Sequence, residues 1–99
     1  MSFQVLYHKL VVEKEISDLP IAVKSRIKNA VEKKLVEYPE IFGKPLRHSL
    51  KGFRRLRVDD YRVVFRIEKN TVKIFMIAHR STIYSANSIK ALTARAKGL

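Results

Sequence analysis

Apolar residues recur at two different periods along the chain, and each period predicts a different kind of element. Residues 3–7 alternate weakly and are rich in strand formers, which predicts a first strand. Residues 10–19 predict a short helix that Pro20 ends. Between Pro20 and Pro39, apolar side chains recur at spacings of three and four, so this segment is predicted to be a longer second helix.

The second half of the chain changes to a period of two. A Pro- and Gly-containing connection at 39–52 leads into three strand-like runs at 53–58, 61–67 and 71–78. Asp59-Asp60 and Lys69-Asn70 between them suit two-residue hairpin turns. A short helix is predicted over about 87–96. The order β-α-α-β-β-β-α predicts an α+β domain: an antiparallel sheet of about four strands with helices packed on one face, two of them N-terminal and one short and C-terminal.

The first hairpin sorts the strand residues onto two faces. With Asp59-Asp60 as the turn, Arg57 lies opposite Arg62 and Leu56 opposite Val63. The core face then holds the apolar positions, namely Leu56, Val58, Tyr61, Val63, Phe65, Ile67, Val72, Ile74 and Met76. The other face holds the basic positions, namely Arg55, Arg57, Arg62, Arg66 and Lys73.

Length and composition narrow the class of protein. The chain has 99 residues, 46% of them hydrophobic, which predicts one domain over residues 1–99 with its own core. It contains no cysteine, which excludes disulfides, thiolate metal sites and a thiol nucleophile. The longest apolar run, residues 74–78, is far too short to span a bilayer, and the N-terminus lacks the features of a signal peptide. We therefore expect a cytoplasmic protein.

The formal net charge of +12 is unevenly distributed. Residues 1–40 carry 7 basic and 6 acidic side chains, whereas residues 41–99 carry 14 and 3. A solvated surface usually mixes both signs, as the first segment does. The basic excess in the second segment therefore implies a polyanionic partner, which can be nucleic acid, an acidic protein, or both in turn.

The opposed pair Arg57 and Arg62 is the most informative part of the basic face. Like charges directly opposite each other in a sheet are unfavourable by up to about 1 kcal/mol. One interpretation is that both guanidinium groups pair with acidic residues at the turns, namely Asp59, Asp60 or Glu68. The interpretation that we favour is an anion site, because the planar guanidinium group matches phosphate better than an ammonium group does.

His79, Arg80 and Tyr84 follow the last strand and add chemistry at the edge of this face. Taken singly, each is more often a surface or packing residue. Together they supply the groups for metal-free phosphodiester cleavage: a base for the ribose 2′-OH, cations for the phosphorane charge and an acid for the leaving 5′-oxygen. Cations favour a phenolate, so Tyr84 can be the base and His79 the acid, although the sequence leaves the assignment between them open.

A metal-dependent nuclease is poorly supported by the sequence. Such an enzyme needs clustered carboxylates, and residues 41–99 contain only Asp59, Asp60 and Glu68, all at turns. There is also no Gly-rich phosphate loop, HExxH or CxxC motif. We therefore expect no cofactor and no metal.

Longer motifs in the chain resemble a known family. The matching runs are Leu-Arg at 46–47, Lys-Gly-Phe-Arg-Arg-Leu-Arg-Val-Asp-Asp-Tyr-Arg-Val-Val-Phe at 51–65 and Ile-Ala-His-Arg-Ser-Thr-Ile-Tyr at 77–84. The run at 8–20, His-Lys-Leu-Val-Val-Glu-Lys-Glu-Ile-Ser-Asp-Leu-Pro, is similar to that family's first helix. The family is the RelE/ParE superfamily of toxins from type II toxin–antitoxin systems.

The resemblance implies a RelE-like fold, a cytosolic prokaryotic protein and an acidic antitoxin as its cognate partner. For RelE-like members it also implies an mRNA interferase, a ribosome-dependent endoribonuclease that cleaves mRNA by attack of the 2′-OH on the adjacent phosphate. By position, Arg62 matches the arginine that holds the scissile phosphate, Arg80 the transition-state arginine, and Tyr84 the catalytic tyrosine. Arg55 and Arg57 match basic sheet residues that contact the substrate, although some members have Lys at these positions.

Two sets of site residues follow. The predicted catalytic set is Arg62, Arg80, Tyr84 and His79. The predicted RNA-binding set is Arg55, Arg57, Arg66, Lys44, Arg47 and Lys51, with mRNA and the ribosome as partners. The main alternative is a ParE-like toxin that inhibits DNA gyrase by protein binding, because ParE-like chains share the fold and often the Tyr-Arg step. An inactive basic binding module is a third possibility.

Overall fold

The computed structural model describes residues 2–46, 50 and 52–98. Its strands are β1 (Gln4–Tyr7), β2 (Lys44–Pro45), β3 (Arg54–Val58), β4 (Tyr61–Glu68) and β5 (Thr71–His79). Its helices are α1 (9–18), α2 (21–35), α3 (Pro39–Phe42) and α4 (Ala86–Lys97), with π-helical turns at Val11–Glu15 in α1 and Val31–Leu35 in α2. No helix among these residues is long and apolar enough to cross a membrane.

The strands form one sheet in the order β1-β5-β4-β3-β2, so the predicted α+β class is confirmed. The prediction of about four antiparallel strands needs two corrections. β1 runs parallel to β5, which is possible because the two strands are far apart in sequence and no hairpin joins them. β2 is a fifth strand inside the predicted connection, and its Pro45 fits an edge position, where no ladder hydrogen bond is lost.

Both predicted hairpins are confirmed. Arg57 pairs with Arg62 across the Asp59-Asp60 turn, and Glu68 pairs with Thr71 across the Lys69-Asn70 turn. Asp59 has a φ of 52° and Lys69 a φ of 56°, so the first residue of each turn takes the left-handed conformation that tight hairpins require.

A bulge on β5 changes which residues face each side of the sheet. Val64 pairs with Met76 and Phe65 with Ile74, so Phe75 is the extra residue. As a result Met76 lies on the same side as Val64, and its prediction on the side of Ile74 is wrong. One inserted residue reverses the alternation beyond it, which a strict period of two cannot anticipate.

The first core cluster lies between one face of the sheet and helices α1 and α2. Val11, Ile27 and Leu35 from the helices pack against Val63 and Phe65, and all of them are buried. The apolar stripe of the second helix therefore packs against the sheet, as its spacing predicted.

The second core cluster lies on the opposite face, under α4. Leu92 is fully buried with Val64, Phe75 and Met76, and the connection before β3 adds Phe53. The prediction that the helices share one face is therefore wrong for α4. The basic face is not wholly charged, because Val64 and Phe75 lie on it, and the bulge adds Met76 to them. The apolar stripe of α4 covers these side chains. Near the Asp59-Asp60 turn, Arg55, Arg57 and Arg62 lie outside this cluster.

Candidate functional site

An open cavity of about 430 Å³ lies where the basic face meets the segment after β5. It is lined by Arg55, Arg62, His79, Arg80, Ser81 and Tyr84. The four residues predicted as catalytic thus line one cavity, together with one residue from the predicted RNA-binding set. Ser81 lines it as well, and sequence reasoning did not single it out.

The sheet register brings the first two arginines to the cavity. Arg55 on β3 and Arg62 on β4 project from the face that α4 leaves uncovered. Arg62 pairs with Ala78 on β5, a residue with a small side chain. The hairpin and the neighbouring strand therefore place these cations where β5 ends.

A compact turn after β5 supplies the other side of the cavity. The backbone N–H of Arg80 donates to the carbonyl of Asp60 at 2.7 Å, which ties this turn to the first hairpin. The N–H groups of Thr82 and Ile83 donate to the carbonyl of His79 at 3.0 and 3.2 Å. Ile83 is fully buried in the second core cluster, and its anchoring leaves the next side chain, Tyr84, 48% exposed at the cavity.

Tyr84 is held by one of the sheet arginines. Nη1 of Arg55 donates a hydrogen bond of 2.6 Å to the Tyr84 hydroxyl. This contact places the positive charge of a guanidinium group directly beside the phenol oxygen. The contact joins a residue 29 positions earlier in the chain to the end of the turn.

Arg62 lies at the centre of the cationic group. Its Nη1 donates to the carbonyls of Asp59 and Tyr61, at 3.0 and 2.9 Å, which fixes the side chain against the hairpin turn. Burial lowers the pKa of the Arg62 guanidinium, and repulsion from Arg57, Arg55 and Arg80 lowers it further, while Tyr84 opposes these effects. An anion bound beside Arg62 would relieve this repulsion.

The carboxylates near the turn pair with other cations. Asp59 pairs with Arg26 of α2 at 2.6 Å, and Asp60 with Arg80 at 3.3 Å. Within the described residues, no carboxylate lies within 4.0 Å of the guanidinium groups of Arg55, Arg57 or Arg62. The interpretation that Arg57 and Arg62 are neutralised by acidic residues at the turns is therefore contradicted, and both remain available to an external anion.

His79 is fixed by two neighbours. Its ring packs edge-to-face on Tyr61, with ring centres 5.4 Å apart and an interplanar angle of 86°. Its Nδ1 lies 2.8 Å from the Ser81 hydroxyl oxygen and 3.2 Å from the Ser81 backbone nitrogen. The imidazole at the cavity wall therefore has a defined orientation.

The remaining predicted RNA-binding residues lie outside the cavity. Arg57 is exposed beside Arg62, and Lys44 on β2 is exposed beside Arg55. Arg66 lies beyond the buried Val64, with its guanidinium carbon 5.5 Å from the centre of the Phe53 ring and its Nη2 3.6 Å from Glu68. Arg47 and Lys51 lie outside the described residues. In the described part of the chain, no three His, Asp or Glu side chains are grouped so that they could hold a metal ion.

The chain matches a family model and a characterised relative. Residues 7–84 match the model of the ParE toxin of the type II toxin–antitoxin system parDE. Toxin RelE of Mycobacterium tuberculosis (strain ATCC 25618 / H37Rv) is 36% identical over 76 residues, which cover 75% of this chain and 78% of that toxin.

Solved structures share the fold. A chain of the RelBE2 toxin–antitoxin complex from Mycobacterium tuberculosis matches with a TM-score of 0.75 and 27% identity, over 81% of this chain and 100% of that one. A double arginine mutant of the E. coli toxin RelE in the free state matches with a TM-score of 0.74 and 16% identity, over 96% and 98% of the two chains. From the extent of the family match and the identity to the mycobacterial toxin, this chain belongs to the RelE/ParE family of toxins from type II toxin–antitoxin systems.

Proposed function

We propose that this toxin is a ribosome-dependent mRNA interferase. The observation that carries the proposal is the cavity in which the Arg62 and Arg80 guanidinium groups, the His79 imidazole and the Tyr84 phenol come together. The similarity to a toxin named RelE supports the same activity. Each of these groups has a role in cleaving a phosphodiester bond without a metal ion.

The reaction is an in-line displacement at phosphorus. Tyr84 reacts as the phenolate, held by the Arg55 guanidinium, and its oxygen takes the proton of the ribose 2′-OH to become the neutral phenol. The 2′-oxygen forms a bond to phosphorus while the bond from phosphorus to the 5′-oxygen breaks, and the protonated His79 ring gives its proton to that leaving oxygen. Arg62 and Arg80 stabilise the charge that develops on the phosphoryl oxygens. The products are a 2′,3′-cyclic phosphate and a free 5′-OH.

The basic residues around the cavity hold the flanking RNA. Arg57 and Lys44 are exposed next to Arg62 and Arg55, so they can contact phosphates on either side of the scissile one. Arg66 lies farther along β4, against Phe53, and is assigned to the periphery of this surface. Arg47 and Lys51 stay sequence-based assignments to the same surface.

The decisive experiment is cleavage of mRNA on programmed ribosomes, with the mRNA ends mapped. Tyr84→Phe removes only the hydroxyl, and we expect the cleavage rate to fall by about 10²- to 10⁴-fold, the usual contribution of a general base. Tyr38→Phe is the matched control, because Tyr38 is 53% exposed on the surface and Tyr84 48%. Absence of cleavage by the wild-type toxin, or equal rates for the two variants, would contradict the proposal.

A pair of arginine variants tests the charge-stabilising role in the same assay. Arg80 and Arg26 both form exposed ion pairs with the aspartates of one turn, but only Arg80 lines the cavity. We expect Arg80→Ala to slow cleavage by about 10²- to 10³-fold and Arg26→Ala to leave it unchanged. Similar losses in the two variants would assign the effect to the turn instead of the cavity.

A second candidate function is ParE-like inhibition of DNA gyrase. The observation that favours it is the match of residues 7–84 to the ParE family model. It would act by protein binding, so it does not require the Tyr84 hydroxyl. Inhibition of gyrase supercoiling by both the wild type and Tyr84→Phe, together with no cleavage on ribosomes, would replace the interferase proposal with this one.

We also propose an acidic antitoxin as the cognate partner. The toxin has a net charge of +12, and Arg55, Arg57 and Arg62 have no carboxylate partner among the described residues. Related toxins have been solved as complexes with RelB antitoxins. Co-purification with the product of the adjacent reading frame should raise the unfolding temperature, because a ligand of the native state stabilises it by mass action. An unchanged unfolding temperature in the mixture would contradict this partner.

A further inference from the structure

Ser81 touches the imidazole of His79 through both its backbone and its side chain. The Ser81 N–H donates to Nδ1 at 3.2 Å, and the Ser81 Oγ lies 2.8 Å from the same nitrogen. A 180° turn of the ring would place Cδ2 where Nδ1 lies and would lose both contacts, while the packing on Tyr61 holds the plane of the ring. Ser81 itself lines the cavity, so this arrangement is at the candidate site and not behind it.

The backbone contact determines which ring nitrogen carries the proton. A backbone N–H can only donate, so in the neutral ring Nδ1 must present its lone pair to Ser81 and the proton must be on Nε2. Among the described residues, no hydrogen bond engages Nε2. Since the ring lines the cavity, Nε2 is the nitrogen left for the substrate.

The hydroxyl has a role that the backbone N–H cannot have. When the ring is protonated, Nδ1 also carries a hydrogen, and only a group that can accept will keep the contact. The Ser81 Oγ can donate to the neutral ring and accept from the cationic ring, at the same 2.8 Å separation. After Nε2 has released its proton to the leaving oxygen, the Ser81 Oγ accepts from the Nδ1–H until the ring returns to its resting tautomer with the proton on Nε2.

We propose that Ser81 is a positioning residue for His79. It orients the ring so that Nε2 faces the substrate, and its hydroxyl holds the Nδ1–H of the acid form. The catalytic part of this inference rests on the proposed function, since it assumes that His79 is the acid. The orientation of the ring does not depend on that assumption.

Nitrogen-15 NMR of the full-length toxin tests the orientation without any assay of activity. We expect the neutral wild-type ring to carry its proton on Nε2. At about pH 5, below the ordinary titration range of histidine, the cationic ring should show an Nδ1–H signal that exchanges slowly with water in the wild type and in Ser81→Thr. The signal should be lost in Ser81→Ala. A neutral ring protonated on Nδ1, or a signal that survives Ser81→Ala, would overturn the proposal.

The cleavage assay then tests the consequence for the reaction. Ser81→Ala should lower the rate constant on programmed ribosomes by about tenfold to a hundredfold, the effect of losing one hydrogen bond to a charged group. The toxin concentration for half-maximal rate should not change, and Ser81→Thr should restore the rate. Thr82→Val is the control, because the Thr82 hydroxyl donates to the His79 carbonyl and not to the ring.

NMR tests the orientation of the His79 ring, and the cleavage assay tests whether that orientation matters for the reaction. A wild-type rate in Ser81→Ala would overturn the positioning role even where the NMR signals behave as expected. If the wild-type toxin cleaves no mRNA, the proposed function fails, and the NMR signals alone decide whether Ser81 fixes the ring.

Discussion

Arg57 and Arg62 show how a single residue pair can oppose stability and serve binding. They face each other directly across the first hairpin, and neither has a carboxylate partner among the described residues. The effect is visible in Arg62, because its pKa is lowered first by burial and then by Arg57. The lowered pKa means that the folded state disfavours the charged form of Arg62. A bound phosphate would favour the charged form and raise the pKa again.

Removing one charge of this pair should therefore stabilise the toxin. We expect Arg57→Gln to raise the free energy of unfolding by up to about 1 kcal/mol, which is roughly 4–8 °C in unfolding temperature for a domain of this size. Thermal unfolding followed by circular dichroism measures it. Lys9→Gln, an exposed position on α1, removes the same charge from a remote site and should have little effect. Equal shifts in the two variants would show that only net charge matters.

The helices and strands could be predicted from the sequence where local rules decide them. The two hairpins were predictable because Asp59-Asp60 and Lys69-Asn70 leave two turn residues between alternating runs, and that fixes the register. The side of the sheet on which α4 packs was not predictable. It depends on an apolar patch of Val64, Phe75 and Met76, and Met76 reaches that face only through the bulge at Phe75, which leaves no signature in composition or spacing.

A pair of charged side chains connects α1, α4 and the end of β5. Glu15 of α1 accepts from the Ile77 N–H at 2.8 Å, and Arg95 of α4 donates to the Phe75 carbonyl at 2.8 Å. The two side chains form an ion pair at 2.6 Å and are largely buried. They occupy backbone groups on the edge of β5 beyond Ile74, where pairing with β1 ends. Side chains thus replace a strand at this edge and hold helices on both faces.

Breaking this ion pair should be strongly destabilising. Glu15→Ala leaves Arg95 buried without its carboxylate and the Ile77 N–H without an acceptor, so we expect a loss of about 3–5 kcal/mol in the free energy of unfolding. Denaturant titration measures the change. Glu13→Ala is the control, since Glu13 is exposed on the same helix. If Glu15→Ala lowered the free energy of unfolding no more than Glu13→Ala does, the pair would contribute little to the stability of the native state.

His8 at the start of α1 gives this element a pH dependence. Its Nδ1 accepts from the Leu10 N–H at 3.0 Å, a contact that requires an unprotonated Nδ1. Burial lowers the pKa of His8 from its ordinary value near 6.5, with Arg95 adding to the effect and Glu15 opposing it. The folded state thus disfavours the proton, so this contribution to stability is complete above pH 6.5 and is lost as the pH falls toward the lowered pKa.

The variant His8→Asn should reduce this dependence. Asparagine keeps an oxygen that can accept from the Leu10 N–H, but it does not titrate. We expect the unfolding temperature of the wild type to fall more steeply than that of His8→Asn between about pH 7.5 and about pH 5, the range in which an ordinary histidine gains its proton. Parallel curves for the two proteins would exclude His8 as the titrating group.

At the scale of the whole molecule, the sequence predicted most of the residues that line the cavity, but it did not predict how far the cavity extends along the basic face. The hairpin register was enough to place Arg55 and Arg62 on one face, and His79, Arg80 and Tyr84 at its edge. The sequence did not show that the buried Val64 and its cluster separate Arg66 from the cavity, because that separation depends on where α4 packs. Ser81 was also missed, since its role depends on a turn that only the folded chain closes around His79.

The net charge of +12 should give stability and RNA binding opposite responses to salt. Added salt screens the self-repulsion of the free toxin, so its unfolding temperature should rise. RNA binding should weaken, because each phosphate contact releases counterions and adds about −0.7 to the log–log slope for a single strand. The cations available to one strand at the open face are those of the cavity and their exposed neighbours, namely Arg55, Arg62, Arg80, Arg57 and Lys44.

Contacts by three to five of these cations correspond to a slope between about −2 and about −3.5 for single-stranded RNA. Fluorescence anisotropy at several salt concentrations, with an uncleavable 2′-deoxy substitution at the scissile position, measures it. Arg57→Gln should reduce the magnitude of the slope by about 0.7, whereas Lys9→Gln should leave it unchanged. If both variants change the slope equally, the RNA responds to total charge and not to the face that the hairpin builds. A change with Arg57→Gln alone would locate the bound strand on that face.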